Sequence, residues 1–249
     1  MKSKSKRISI LSTLFALAII GLSAFALNLM SARGQINGQY LDAATAAGRP
    51  GGGRFEVTIT NLTRYQYFTP VLVASHREGV RIFNIGEPVG PQMAILAEEG
   101  NPAPMADLLS RTPGVKDVAV GSNLIKTGES VTFTVDAPEP FSYVSIASML
   151  GWSNDAFFGL NGVEGPRGNK ELTIYSPAYD SGSERNDELC ATIPGPFFQE
   201  CGGPGGGARV GGGEGFVHIH PGIHGVGDFK PAERDWRNPV AKITIRRVK

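Results

Sequence analysis

Short stretches of strand-forming residues, each cut off by Gly, Pro, Asn or Asp, dominate the chain from residue 54 onward. Phe55-Glu56-Val57-Thr58-Ile59-Thr60 alternates apolar and polar with a period of two, as a half-buried strand does. Phe68–Ala74, Val115–Val120, Val131–Val135, Phe141–Leu150, Leu172–Tyr175, Phe216–His220 and Val240–Val248 are further strand candidates. Two helical stretches interrupt them: Pro91–Glu99, with Met93, Ile95 and Leu96 apolar, and Pro104–Ser110, whose proline suits a first helical turn. With 33 glycines and 17 prolines, about a fifth of the 249 residues, the chain is too heavily punctuated for a helical bundle. About eight strands in some 195 residues predict an all-β, antiparallel β-sandwich with one or two short helices in one long connection.

Residues 1–32 read as an address. Lys2, Lys4, Lys6 and Arg7 precede an apolar run from Ile8 to Leu22, and Ala24-Phe25-Ala26 supplies the small residues of a secretory cleavage site. Cleavage is expected after Ala26, with Ala32 as the alternative. The competing reading is an uncleaved anchor, since Ile8–Met30 is long enough to span a bilayer. Residues 33–53, ending Arg49-Pro50-Gly51-Gly52-Gly53, read as a flexible linker, and 54–249 as one folded domain. The expected location is secreted or periplasmic. There Cys190 and Cys201, which bracket a segment holding Pro194 and Pro196, can pair in a disulfide. Loss of the leader takes the formal charge from +1 to −3, which gives no footing for nucleic-acid binding by phosphate neutralisation. Contact with a membrane is expected only through an uncleaved N-terminal segment.

Two segments carry candidate chemistry. Tyr179-Asp180-Ser181-Gly182-Ser183-Glu184-Arg185-Asn186-Asp187-Glu188 is dense in carboxylates, which repel one another unless water or a cation neutralises them. Calcium takes six to eight oxygen ligands from a flexible loop, and Asp180 and Glu184, with Gly182 between them, can fold around such an ion. The twelve-residue EF-hand spacing is absent, and a solvated acidic loop is the competing reading. Upstream, Trp152-Ser153-Asn154-Asp155-Ala156-Phe157-Phe158 places Asn154 and Asp155 in a turn before two aromatics. Loops at one end of a sandwich converge, so the two segments can share one ion.

Met149–Gly159 with its Asn-Asp-Ala-Phe core, the Tyr-Asp-Ser-Gly-Ser-Glu segment, Ile193-Pro194-Gly195-Pro196 and Pro239–Ile245 occur in an order that resembles the spondin N-terminal domain family in its bacterial secreted form. Phe55–Thr60, Phe68-Thr69-Pro70 and Ala74-Ser75-His76 are similar to that family's opening strands, so the resemblance covers residues 54–248. It implies a C2-like sandwich with one bound Ca2+ and no catalytic activity. The family's metal-binding Asp falls on Asp155, and its paired acids on Asp180 and Glu184. Asp187 and Asn186 are reserve ligands. The implied role is recognition or adhesion, with a cell-surface or extracellular-matrix ligand, glycans included, as partner.

The histidines give a rival reading from another class. Phe216-Val217-His218-Ile219-His220-Pro221-Gly222-Ile223-His224 holds three of the four, and on a strand His218 and His220 point to one face. A Pro-Gly turn can bring His224 back toward them, and neutral imidazoles suit zinc or copper, hence a metalloenzyme. The bland alternative has them hydrogen-bonded within a long Gly-rich connection. His76 reads as a hydrogen bonder at a strand end. Cys201–Gly215 lacks the Gly-Lys-Ser/Thr ending of a phosphate loop and reads as a flexible loop. No Gly-x-Ser-x-Gly elbow is present.

Overall fold

The computed structural model describes residues 53–195 and 211–248. The expected leader, nearly all of the linker, and Cys201 with its expected pairing to Cys190 lie outside them.

Two antiparallel sheets make the domain. The first has four strands in the order β4-β1-β10-β7: β1 is Arg54–Asn61, β4 Ser130–Asp136, β7 Glu171–Ser176 and β10 Ala241–Val248. The second has six, in the order β3-β2-β5-β6-β8-β9: β2 Leu72–His76, β3 Val115–Val120, β5 Tyr143–Met149, β6 Ala156–Glu164, β8 Ala178–Asp180 and β9 His218–Ile219. Helices α1, Pro91–Glu99, and α2, Ala103–Ser110, lie between β2 and β3, and a short α3, Pro231–Arg234, precedes β10.

The four-stranded sheet has one wet face. Phe55, Val57 and Ile59 of β1 are buried, while Thr58 and Thr60 pair with the hydroxyls of Thr132 and Ser130 outside. That is the period-two pattern the sequence displays. The six-stranded sheet is covered on both faces. Val73, Ile146 and Phe158 join the core between the sheets, whereas Leu72, Ala147 and Phe157 join a second core with Met93, Leu96 and Leu109 of the helices. Strands buried on both faces lose polar alternation. For that reason β6, which begins Ala156-Phe157-Phe158-Gly159-Leu160 and is buried throughout that run, escapes a period-two reading. The expectation of a turn there holds only as far as Asp155, and β6 and the three-residue β8 are additions to the expected strands. Conversely, Phe216–His220 contains a strand of only two residues.

His76 ends β2 as expected. It is fully buried, with Nδ1 2.7 Å from the Arg77 carbonyl and Nε2 2.8 Å from Ser145 Oγ.

Candidate metal centre

Sheet register assembles the site. Ala156 of β6 pairs with Asp180 of β8, which pairs with His218 of β9, so three neighbouring strands present one row. Residues directly opposite in antiparallel strands put their side chains on the same face. Asp180 and His218 therefore look the same way, and Asp155, one residue before β6, stands at the head of the row. Asp155 and Asp180 are both wholly buried.

Each Asp155 oxygen has a different fate. Oδ2 accepts hydrogen bonds from Ser181 Oγ at 2.8 Å, Ser183 N at 2.9 Å and Glu184 N at 3.0 Å. Oδ1 has no hydrogen-bond partner among the described residues, although no solvent reaches it. Asp180 Oδ1 accepts from Gly182 N at 2.8 Å, and Oδ2 from Asn186 Nδ2 at 2.7 Å. Gly182 has φ of 68° and packs on the Phe216 backbone, where a side chain would collide, so glycine is required at that turn.

Two groups of side chains bring three metal-ligating atoms within 4.8 Å of one another: Asp155, Asp180 and His220, and Asp180, Glu214 and His218. Asp180 belongs to both. The expected oxygen site and the expected histidine site thus meet at one residue. Glu184, the expected third carboxylate, is buried but belongs to neither group; its backbone N–H is what meets Asp155. Asp187 is likewise in neither. Its Oδ1 holds the next turn together by accepting from Asn154 Nδ2, Thr192 Oγ1 and Leu189 N. His224 is exposed and shares no three-ligand group with His218 and His220. Those two do share a face, as expected: each Nε2 lies 3.7 Å from an Asp180 oxygen.

Hydrogen bonds fix the two imidazoles in opposite tautomers. Gly222 N can only donate, and it donates to His220 Nδ1 at 2.9 Å. His220 Nε2 therefore carries the proton and gives it to Asn186 Oδ1 at 3.0 Å, whose amide in turn donates to Asp180. Burial pushes the His220 pKa down to about 3, so this imidazole is neutral and supports Asp180 through Asn186 without offering it a lone pair. His218 is the reverse case. Its Nδ1 meets the Ile219 carbonyl at 3.0 Å, which fixes a proton there, and its Nε2 faces Asp180 Oδ1 and, at 3.5 Å, Glu214 Oε2; burial works to lower its pKa, but the Ile219 carbonyl and the two carboxylates outweigh it and raise it.

Burial, followed by the charge of Asp155, pushes the Asp180 carboxyl up to about 7. Asp155 is raised as well, chiefly by burial and against its hydrogen bonds to Glu184 N, Ser181 and Ser183 N. Two buried carboxyls that resist ionisation side by side form a site that a cation would relieve.

Sequence reasoning missed two acids here. Glu214 sits at the end of the Gly-rich stretch read as a flexible loop, yet Gly213 packs directly on the backbone of Gly182 and Glu184. Glu188, passed over as one more acid of a dense run, is buried, and its carboxylate accepts from the backbone N–H groups of His224, Gly225 and Val226 at 2.6, 2.7 and 3.0 Å. It pins the histidine segment to the acidic segment. Nearby, a cleft of about 200 Å3 is lined by Tyr67, Pro70, Leu124, Met149, Trp152 and Pro194.

A family model described as Spondin_N matches residues 60–176. Over those residues the chain matches the spondin N-terminal domain family. No curated protein matches it. Spondin N-terminal domains are non-enzymatic modules, typically extracellular, and the two-sheet sandwich is in keeping with that match. The matched segment runs from the end of β1 to the end of β7. It includes Asp155 and stops short of Asp180, Glu214 and His218, so three of these four residues lie beyond the matched stretch. No helix among the described residues is long and apolar enough to cross a membrane.

Proposed function

We propose that this spondin-type domain is an exported, non-catalytic recognition module whose loop end is held together by calcium at Asp155 and Asp180. The observation that carries this reading is Asp155 Oδ1, a buried carboxylate oxygen with no hydrogen-bond partner among the described residues, converging with a second buried carboxylate. A hard cation suits such a donor set, and backbone carbonyls and water complete an oxygen shell of the kind calcium takes. Glu184 serves the site through its N–H, which orients Asp155. The ion's part is to neutralise the two carboxylates and so fix the 150–155 turn against the 180–188 loop.

Recognition then falls to the rigid end so formed. The cleft at Tyr67, Met149 and Trp152 adjoins the same turn, since Gly151 and Trp152 line it and lead straight into Asp155. A cell-surface or extracellular-matrix ligand, glycans included, is the expected partner.

The test is a thermal melt of the purified chain in chelator and in calcium, for the wild type and for Asp155→Asn. Calcium should raise the wild-type midpoint and leave the variant's unchanged, because a ligand that binds only the native state must stabilise it. An unmoved wild-type midpoint in millimolar calcium rejects the reading.

A further inference from the structure

Beside the calcium pair lies a set of donors that calcium does not account for. His218 Nε2 is shielded from solvent and has no hydrogen-bond partner among the described residues, although two carboxylate oxygens face it, Asp180 Oδ1 at 3.7 Å and Glu214 Oε2 at 3.5 Å. Its other nitrogen is tied to the Ile219 carbonyl. That is the arrangement by which proteins present an imidazole to a metal, the backbone acceptor fixing ring and tautomer while the opposite lone pair points into the site.

The spacing is wider than that of a hydrogen-bonded ion pair and fits a metal site. An imidazolium bonded to a carboxylate closes to about 2.7–2.9 Å. Here both separations are wider. Ligands held about 2.0–2.2 Å from a tetrahedral ion lie about 3.3–3.6 Å from one another, which is close to the separations seen.

We propose that His218, Glu214 and Asp180 bind a divalent first-row transition metal of zinc type, in a site that shares Asp180 with the calcium pair. An imidazole nitrogen selects against calcium and magnesium, which take oxygen, and in favour of zinc and its neighbours. One neutral imidazole and two carboxylates balance a dication. The His218 and Glu214 side chains are 26% and 41% exposed, so the site opens to solvent and water completes the coordination. Asp180 is held for the task by Gly182 N and by the Asn186–His220 relay. His220 is thus a positioning residue whose Nε2 proton bars it from ligation, and His224 takes no part. Apart from the shared Asp180, the proposal uses donor atoms that the calcium reading leaves idle, and it does not require that reading.

The test titrates Zn2+ into the untagged full chain, stripped with chelator, by calorimetry with and without saturating calcium. One equivalent should bind in both conditions. His218→Gln and Glu214→Gln should each weaken zinc at least tenfold while keeping the calcium shift in melting midpoint, and His224→Gln should bind zinc as the wild type does. Both ligand substitutions are at partly exposed positions and near-isosteric, so the fold survives them. Cobalt gives a second readout: Co2+ in the wild type should show visible d–d bands that His218→Gln lacks. Zinc affinity unchanged in His218→Gln, or no zinc bound by the wild type, overturns the proposal and leaves an ion pair. Zinc binding without any calcium shift would reject the calcium reading alone.

Discussion

Glu188 offers the clearest energetic test of how the two halves of the site are joined. Its carboxylate is buried and takes three short hydrogen bonds from consecutive backbone N–H groups, at residues 224, 225 and 226. Its own N–H bonds Asn154 Oδ1, and its carbonyl accepts from Asp228 N, so both segments meet on this residue. Hydrogen bonds to a charged acceptor contribute about 1.5–3 kcal/mol each when fully buried. The three donors belong to exposed residues, so water recovers part of that on truncation. At about 1 kcal/mol per donor, Glu188→Ala should cost about 3 kcal/mol, and Glu188→Gln, which keeps one acceptor oxygen, about 1–2 kcal/mol. For a domain of this size 1 kcal/mol moves the midpoint by about 2–4 °C, so the alanine variant should melt about 6–12 °C lower. Denaturant titration gives the free energy directly, and hydrogen exchange at residues 224–226 should accelerate in step. A loss below about 0.5 kcal/mol for Glu188→Ala would refute the pinning argument, because that is the scatter of a surface substitution.

Phe158 is wholly buried and its ring centroid lies 4.2 Å from that of Phe68, so Phe158→Ala should cost about 3–5 kcal/mol in a denaturant melt. Burial, followed by the charge of Asp155, pushes the folded pKa of Asp180 from the ordinary 3.8 up to about 7, and a raised carboxyl contributes stability while protonated and loses it as pH climbs. In chelator, the wild type should therefore lose stability relative to Asp180→Asn between about pH 4 and pH 7; a flat or rising difference would contradict the assignment. Calcium should abolish that pH-dependent difference, as read from paired melts. Export can be checked by N-terminal sequencing of the mature protein, expected to begin at Leu27, and the Cys190–Cys201 pairing by mass before and after reduction.

The legibility of the fold tracked where solvent lies. β1 and β10 have one face in water, so their alternation is visible in the residue string and their positions follow from it. Pro91 at the first turn of α1 and Gly100 beyond its last, in the left-handed conformation, bound that helix at the residues the pattern suggests. β6 was hidden because helices cover one of its faces and the opposite sheet covers the other, which leaves no polar phase to count. The site was half legible for a different reason. Asp155 and Asp180 stand out as acids beside turns, and His218 and His220 as a pair two residues apart. That all four converge depends on the order β6-β8-β9, a long-range pairing that local spacing does not encode. Glu214 gave no signal among glycines, because what places it is the close approach of Gly213 to Gly182.

The proposed cation between Asp155 and Asp180 is tested most directly by anomalous diffraction from a crystal grown in calcium. A calcium peak is expected within about 2.3–2.6 Å of Asp155 Oδ1 and of an Asp180 carboxylate oxygen. A well-ordered site with no peak there, or a calcium bound elsewhere while Asp155 Oδ1 accepts a proton donor, would contradict it.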